Sequence, residues 1–201
     1  MSSGSTSPAP TEPRGAARRR EILEATLRVI GRGGLAAVDH RTVATEAGVP
    51  LGSTTYYFSS KDDMVSQTLN HVADQEAERL AAARLSLEGA EAAEVPERLI
   101  DIVMSGVTID RVELLAQYQL YLESARREDL RPAAQRWDQA YAELYELALQ
   151  KAGSPDPAGR GRLLCLSLDG LILQHMAMGG ELEDLRSQAL ELVRLFAALE
   201  R

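Results

Sequence analysis

The sequence predicts an all-α fold of about nine helices, with an N-terminal three-helix helix-turn-helix domain followed by a larger helical domain. Long stretches lack glycine and proline, and within them the apolar residues recur at the three- and four-residue spacing typical of helices. No stretch alternates convincingly between apolar and polar residues, as a half-buried strand would. These observations favour helices throughout the chain.

We expect residues 1–15 to form a disordered tail, because they offer little apolar surface to bury. Residues 16–60 form the predicted helix-turn-helix domain, and residues 61–201 form the predicted second, helical domain. The helices expected in the first domain are residues 16–32, 40–47 and 51–57. Those expected in the second domain are residues 61–85, 96–108, 110–127, 130–151 and 182–199. Before the last of these, a helix with Asp156 as its cap and Pro157 in its first turn is expected to contain the apolar segment 163–178.

Local signals mark several helix ends. Asp39 is a suitable N-cap for the second helix, and Gly48 ends that helix. Residues 60–63, Ser-Lys-Asp-Asp, resemble a capping box in which Asp63 replaces the usual glutamate. Helix 110–127 is apolar on several sides, so we expect it to be enclosed by other helices.

Charge is distributed unevenly along the chain, whose net charge is −8. Residues 14–61 carry eight Lys and Arg against four Asp and Glu, whereas residues 62–201 carry fourteen against twenty-five. This asymmetry indicates a polyanion-binding module on an acidic body, with chance clustering as the alternative.

Other protein classes find little support in the sequence. The single cysteine, Cys165, allows no intrachain disulfide and no zinc pattern, which fits a cytoplasmic protein. The apolar segment 163–178 is too short and too interrupted to span a membrane. Phosphate-binding loops and hydrolase motifs are missing, and His40, His71 and His175 are far apart. We therefore expect neither an enzyme nor a metal or cofactor site.

Two short helices joined by Gly-Val-Pro at residues 48–50 fit a helix-turn-helix, whose second helix lies in the major groove of DNA. The second helix, residues 51–57, reads Leu-Gly-Ser-Thr-Thr-Tyr-Tyr and carries hydroxyl groups on nearly every side. Hydroxyl groups bond to phosphates and to base edges. We also expect the N-terminus of helix 40–47 to face a phosphate.

The segment 43–61, Val-Ala-Thr-Glu-Ala-Gly-Val-Pro-Leu-Gly-Ser-Thr-Thr-Tyr-Tyr-Phe-Ser-Ser-Lys, resembles the DNA-binding domain of the TetR/AcrR repressors. The resemblance extends over about residues 16–65. It implies a repressor that binds double-stranded operator DNA and is released by a small-molecule ligand. An activator of the same fold and a helical ligand-binding module without DNA binding are the alternatives.

Position by position, the resemblance implies nine DNA-contacting residues. They are His40, Arg41, Leu51, Gly52, Ser53, Thr55, Tyr56, Tyr57 and Lys61. Arg41 falls where some members read a guanine, and Lys61 falls at a phosphate-binding position. Leu51, Thr55 and Tyr57 differ from the residues common at their positions, which leaves the operator sequence open. Alternatively, Arg41 is a solvated surface charge and the two tyrosines are core aromatics.

The resemblance also implies a homodimer formed by the last two helices, which are more apolar than one buried face requires; a monomer core is the alternative. It further implies a small-molecule cavity in the second domain. Aromatic, methionine and polar side chains of the inner helices are the expected lining: Met104, Tyr118, Tyr121, Trp137, Tyr141, Gln174, His175 and Met178. Each of them has a role in the core as its alternative. Helix 61–85 is the expected lever between the two domains.

Overall fold

The computed structural model describes residues 14–108 and 110–197. Within these two ranges the chain forms nine α-helices and no strand, which confirms the predicted fold class. The helices are α1 (Arg14–Gly33), α2 (His40–Ala47), α3 (Leu51–Tyr57), α4 (Lys61–Glu88), α5 (Val95–Val107), α6 (Arg111–Glu123), α7 (Arg131–Lys151), α8 (Pro157–Met178) and α9 (Leu182–Ala197). Short 3₁₀ turns at Leu35–Ala37 and Glu128–Leu130 precede α2 and α7.

One helix end differs from the prediction by more than three residues. Helix α6 ends at Glu123, where the Ser124 hydroxyl bonds to the Tyr121 carbonyl at 2.6 Å and competes with continuation of the helix. The predicted start of α8 at Pro157 is confirmed, and the Asp156 carboxylate caps this helix by accepting a bond from the Gly159 amide at 3.0 Å.

The predicted tail lies outside the described residues, except for Arg14 and Gly15, which begin α1. Residues 198 and 199, which the sequence assigns to the last helix, also lie outside them. In the described part of the chain, none of the helices has both the length and the apolarity needed to cross a bilayer.

The start of α4 carries a modified capping box. The Ser60 hydroxyl accepts a hydrogen bond from the Asp63 amide at 3.0 Å, as predicted. The Asp63 carboxylate, however, accepts from Ser59 rather than from Ser60, through the amide at 2.7 Å and the hydroxyl at 2.9 Å. Ser59 offers two donors at once, so the reciprocal bond of the motif moves back by one residue.

The first apolar core joins α1–α4 to the second half of the chain. Its largest fully buried side chains are Ile22, Leu23, Ile30, Phe58, Met64 and Leu69. Ala116 and Leu120 of α6 and Ala133 of α7 belong to the same cluster. The short helices α2 and α3 therefore rest on a core that also contains parts of α6 and α7.

The second apolar core lies among α4, α5, α7, α8 and α9. Its fully buried side chains include Leu80, Leu87, Leu99, Ile100, Leu144, Tyr145, Leu149, Leu164 and Leu168. Helix α4 contributes to both cores, with Leu69 in the first and Leu80 in the second. This helix therefore connects the two halves of the molecule.

The expectation that α6 is enclosed is wrong. Only Ala116 and Leu120 are buried within this helix, whereas Leu115 is 40% and Leu122 is 61% exposed. The apolar residues surround α6 instead of forming one stripe, but the helix packs mainly on α1, so its other sides remain accessible.

Gly31 allows α1 to approach the start of α6 closely. A Cβ atom at Gly31 would lie 2.0 Å from the Val112 carbonyl oxygen and 2.6 Å from the Val112 Cγ1 atom. Because the oxygen belongs to the backbone, a side-chain rotation cannot relieve this clash. The two helices meet at this distance only with glycine at position 31.

We predict that Gly31→Ala destabilises the protein. Alanine normally favours a helix interior over glycine, but here the overpacking costs about 1–3 kcal/mol. Chemical denaturation monitored by circular dichroism measures the free energy of unfolding. The control is Gly89→Ala, because a Cβ atom there would meet nothing within 4 Å. Equal stability of Gly31→Ala and wild type would contradict the close packing of α1 on α6.

Candidate nucleic-acid interface and internal cavity

Helix α2, the first helix of the motif, is capped by Asp39. Its Oδ1 atom accepts hydrogen bonds from the amides of Arg41 at 2.8 Å and Thr42 at 2.9 Å. These bonds, led by those from Thr42, lower the pKa of Asp39. Two amides at the start of α2 are therefore bonded within the chain, next to a negative charge. This arrangement does not support the expectation that a phosphate binds there.

The turn between α2 and α3 depends on Gly48. Its φ of 65° lies in the left-handed region, which costs a residue with a side chain roughly 1–2 kcal/mol. The next residue, Val49, is buried, and its amide donates to the Ala44 carbonyl at 3.0 Å. The turn thus reverses the chain and fastens it to the first core.

Helix α3 is anchored by its one buried residue, Thr54, which is fully inaccessible to solvent. The Thr54 hydroxyl lies 2.9 Å from the Leu51 carbonyl oxygen and 3.3 Å from the His40 carbonyl oxygen. The second contact ties the middle of α3 to the start of α2. The opposite side of α3 faces solvent, with Tyr56 81% and Leu51 44% exposed. The helix therefore presents a polar and aromatic surface outward.

The basic side chains near the motif fall into two groups. Arg28 and Arg32 of α1 each lie 2.7 Å from a different carboxylate oxygen of Glu46, and they lower its pKa while they hold α2 against α1. Arg41 and Lys61 are exposed and form no salt bridge within the described residues. The second pair remains available for an external anion.

A shallow groove separates the start of α1 from α3. It is lined by Arg14, Gly15 and Arg18 and by Pro50, Gly52, Ser53, Tyr56 and Tyr57. Arg19 turns away from it, stacks over the Phe58 ring at 5.9 Å and bonds to Gln67. Of these arginines, Arg14 and Arg18 thus lie beside the exposed side of α3. The sequence alone did not separate them from their neighbours.

A cavity of about 260 Å³ lies among α4, α5, α6, α7 and α8. Its lining residues are Glu76, Val103, Gly106, Val107, Leu114, Gln117, Tyr118, Tyr121, Leu122, Trp137, Asp138, Tyr141, Tyr145, Cys165, Leu166, Asp169, Gly170, Ile172 and Leu173. Most are apolar or aromatic, three are acidic, and none of these described lining residues is Lys, Arg or His. A mainly apolar wall with a few polar groups is typical of a small-molecule site.

A hydrogen-bonded network joins α4, α5 and α7 at the cavity wall. The Tyr141 hydroxyl donates to Glu76 at 2.9 Å and accepts from Arg79 at 3.0 Å. Arg79 also pairs with Glu76 at 2.9 Å and donates to the Ile102 carbonyl oxygen at 3.1 Å. Burial, reinforced by the Glu76 charge, raises the pKa of Tyr141. Arg79 thus compensates the negative charge of Glu76.

The other two carboxyl groups, Asp138 of α7 and Asp169 of α8, form no salt bridge within the described residues. Asp138 accepts a hydrogen bond from the Tyr121 hydroxyl at 3.0 Å, whereas Asp169 has only the Cys165 thiol at 3.9 Å. Both aspartates keep contact with solvent, so the cavity is open beside them. Desolvation by the wall raises the pKa of both, and the charge of Asp138 helps to bring the pKa of Asp169 to about 6.

Residues 22–68 match a family model described as bacterial regulatory proteins of the tetR family. Residues 90–199, more than half of the chain, match the tetracyclin repressor-like C-terminal domain. The chain belongs to the TetR family. It is therefore a helix-turn-helix, DNA-binding regulator of transcription, as the resemblance implied. The TetR-family match also confirms the expectation that the chain is not an enzyme.

Known TetR-type proteins resemble nearly the whole chain. The HTH-type transcriptional regulator BetI of Brucella suis is 27% identical over 188 residues, which cover 91% of this chain and 91% of that protein. The multidrug binding protein EbrR, in its crystal structure with imidazole, is 33% identical in sequence and has a TM-score of 0.69. The match covers 92% of this chain and 97% of the EbrR chain. A protein from Saccharomonospora viridis, described as a transcriptional regulator in complex with choline, is 26% identical and has a TM-score of 0.71. The match covers 89% of this chain and 96% of that protein.

In this TetR-family chain, the nine predicted DNA-contacting residues lie on α2, on α3 and at the first position of α4. The exposed ones are Arg41, Leu51, Gly52, Thr55, Tyr56 and Lys61. The half-buried ones are His40, Ser53 and Tyr57. Tyr57 packs against the first core and also lines the groove, so it combines the two roles considered for it. Tyr56 projects into solvent and is not a core aromatic.

Half of the predicted cavity residues lie elsewhere. Those that line the cavity are Tyr118, Tyr121, Trp137 and Tyr141. Those that do not are Met104, Gln174, His175 and Met178. Met104 is buried in the second core, and Met178 is 80% exposed. An α-helix turns by about 100° per residue, so Gln174 and His175 leave the side of α8 that reaches the cavity.

Sequence reasoning missed the three acidic lining residues. Asp169 carried a signal, because it interrupts the most apolar segment of the chain, and a charged side chain is rarely placed in such a segment without a partner. Glu76 carried none, since α4 contains many charged residues and only packing leaves this one 7% exposed.

Helices α8 and α9 leave apolar side chains uncovered. Leu163 is 55%, Leu166 is 63% and Leu173 is 45% exposed on α8, and Leu195 is 67% exposed on α9. Gly170 lies in the same row, and a Cβ atom there would meet nothing within 4 Å. The spacing of positions 163, 166, 170 and 173 places them on one helix face. An apolar face of this kind is suited to contact with another helix.

Proposed function

We propose that this chain is a homodimeric repressor that binds operator DNA through α3 and releases it when a small molecule occupies the cavity. The observation that carries the proposal is the outward presentation of α3 beside exposed cations. Such a second helix enters the major groove in helix-turn-helix proteins. This function belongs in the cytoplasm, where the DNA is.

The exposed residues of α3, together with the half-buried Ser53, have the chemistry for reading bases. Gly52 and Ser53 open the helix, where the backbone comes close to the groove, and Leu51 suits the methyl group of thymine. Thr55 and Tyr56 extend this surface with hydroxyl groups. We assign these five residues to contacts with the base edges and the adjoining backbone.

Arg41 and Lys61 have different proposed roles. Arg41, exposed in the first turn of α2, is assigned to a bidentate contact with guanine, which is worth about 1–3 kcal/mol of discrimination. Lys61 is assigned to a phosphate, together with His40 and Tyr57. Phosphate contacts fix the position of the protein but carry no sequence information.

We assign the uncovered face of α8 and α9 to a homodimer. A two-fold dimer presents two α3 helices to half-sites about 34–36 Å apart, or a multiple of that distance. The exposed leucines that do not line the cavity, Leu163 and Leu195, support this assignment, because burial of each leucine is worth about 1.5–3 kcal/mol. Gly170 within the row allows two helices to approach each other closely.

A ligand in the cavity has two direct routes to the DNA-binding helices. Helix α6 lines the cavity through Tyr118 and Tyr121 and packs on α1 at Gly31. Helix α4 lines it through Glu76 and begins at Lys61. The ligand favours an arrangement in which the two α3 helices no longer match the half-site spacing.

The neighbours support a ligand-responsive role. EbrR is described as a multidrug binding protein complexed with imidazole, malachite green or ethidium, and the Saccharomonospora viridis protein is in complex with choline. We infer that a small molecule occupies the corresponding domain of this chain.

We predict that Arg41→Ala and Lys61→Ala weaken operator binding in different ways. Arg41→Ala relaxes specificity at one base pair and costs about 1–3 kcal/mol on the preferred operator. Lys61→Ala weakens binding to all sequences alike and flattens the slope of log affinity against log salt by about one unit. In vitro selection with the purified protein supplies the operator, and fluorescence anisotropy at several salt concentrations measures the affinities.

The matched control for these two variants is Arg98→Ala, because Arg98 is 41% exposed and lies on α5, whose buried residues belong to the second core. It removes one positive charge without touching the proposed interface. If Arg41→Ala and Lys61→Ala bind the operator as Arg98→Ala does, the assignment of the DNA-contacting surface is refuted.

We predict that Leu163→Asp converts the dimer into a monomer, because two buried carboxylates would face each other across the two-fold interface. Sedimentation equilibrium at micromolar concentration measures the molar mass, and circular dichroism checks the helical content. Leu85→Asp on α4 is the control, since Leu85 is 69% exposed and lies outside α8 and α9. A Leu163→Asp protein that remains dimeric would show that the subunits meet elsewhere.

A further inference from the structure

The cavity contains more negative charge than its own contacts compensate. Asp138 and Asp169 come from different helices and face one space, and no basic side chain lines that space in the described part of the chain. Asp138 interacts electrostatically with Arg162, but the two form no salt bridge. Glu76, the third carboxylate, is already paired with Arg79. Two acidic groups therefore remain for whatever enters the cavity.

Asp169 is the more informative of the two. The bond from Tyr121 gives Asp138 a structural role, since it ties α6 to α7. Asp169 has no comparable donor, because a thiol at 3.9 Å is a weak partner. A partly desolvated carboxylate costs free energy unless a positive charge or hydrogen bonds compensate it. In the free protein water compensates Asp169, because this residue is exposed at the cavity, and its carboxylate is therefore accessible to a ligand.

Aromatic rings make up much of the remaining wall. Tyr121 and Trp137 meet edge to face with ring centroids 6.3 Å apart, and Tyr141 and Tyr145 lie 5.9 Å apart. The faces of aromatic rings attract cations, and the attraction increases when water is excluded. The aromatic rings and the carboxylates therefore both favour a positively charged ligand.

We propose that the cavity binds an organic cation, with Asp138 and Asp169 opposite its positive charge and the aromatic rings around its apolar part. This inference rests on the proposed role of the cavity as the ligand site. It names the chemical class of the ligand: an ammonium or other delocalised cation with an apolar body that fits about 260 Å³. An anion of the same shape would meet two like charges and is excluded by the same groups.

Binding of the cation depends on the ionisation of Asp169. The groups that face its carboxyl are Asp138 and Tyr145 on α7, Cys165 on α8, and Tyr118 and Tyr121 on α6. Burial raises the pKa of each of these tyrosines and of the cysteine, so they stay neutral near pH 7. A pKa of about 6 leaves Asp169 mostly ionised at pH 7.5 and mostly protonated at pH 5.5. Cation affinity therefore decreases as the pH falls through 6.

The test compares phenyltrimethylammonium with tert-butylbenzene, which has nearly the same shape and no charge. Trp137 is the only tryptophan of the chain and lines the cavity, so its fluorescence reports binding directly. We expect the cation to bind the full-length wild-type protein at least about tenfold more tightly than its neutral analogue, because only the cation is attracted by the carboxylates and by the faces of the aromatic rings. We also expect about a threefold loss of cation affinity from pH 7.5 to pH 5.5, because the ionised fraction falls about fourfold for a pKa of about 6 while the protonated form still binds about tenfold more weakly.

Asp138→Asn and Asp169→Asn keep the shape of each side chain and remove its charge. Each lowers cation affinity by about tenfold, through the loss of Coulombic attraction, and leaves the affinity for tert-butylbenzene unchanged. Asp169→Asn also removes the pH dependence. Glu146→Gln on α7 is the control, because Glu146 is exposed and does not line the cavity. Equal affinity for the cation and its neutral analogue, no binding of the cation, or no effect of the two asparagines would overturn the proposal.

Operator binding measured on the same preparations separates this inference from the proposed function. If the protein binds operator DNA but the cation does not perturb Trp137, the cation proposal fails and DNA recognition stands. If the cation binds and Asp169→Asn prevents it, while operator affinity stays constant at saturating cation, the ligand class stands and the release mechanism fails.

Discussion

The recognition surface depends on the packing of two helices that are too short to be stable alone. Helices α2 and α3 contain eight and seven residues, below the length at which an isolated helix persists in water. The inner side of α2 is held against α1 by the buried Val43 and by the ion pairs of Glu46 with Arg28 and Arg32. The hydroxyl of Thr54 holds α3 to the start of α2. Because the inner side of the two helices supplies their stability, the outward side can carry residues that contact DNA.

The same packing prevents the DNA-binding helices from behaving as a separate unit. The first core includes Ala116 and Leu120 of α6, and Gly31 brings the backbones of α1 and α6 into contact. Close-packed interiors transmit displacements because they contain little empty volume. The proposed release of DNA uses this contact, because Tyr118 and Tyr121 of α6 line the cavity while the same helix packs on α1.

The cavity combines features that stability alone would not select. A small-molecule site requires an accessible space, whereas a core is most stable when it is filled. Here the space is bordered by Asp169, a carboxylate without a strong donor, and by the polar network of Glu76, Arg79 and Tyr141. The network compensates its own charges, whereas Asp169 is exposed at the cavity, where the proposed cation would bind.

The sequence by itself determined the helices and the motif, because helical spacing, caps such as Asp39 and the glycine turn at Gly48 act between residues close in the chain. It also identified the exposed residues of α3, since the TetR pattern is continuous along the chain. Only the tertiary structure decided which sides of α6 and α8 face the cavity, and therefore that Asp169 lines it while His175 does not. These outcomes depend on how helices distant in sequence rotate against one another, and local spacing carries no information about that rotation.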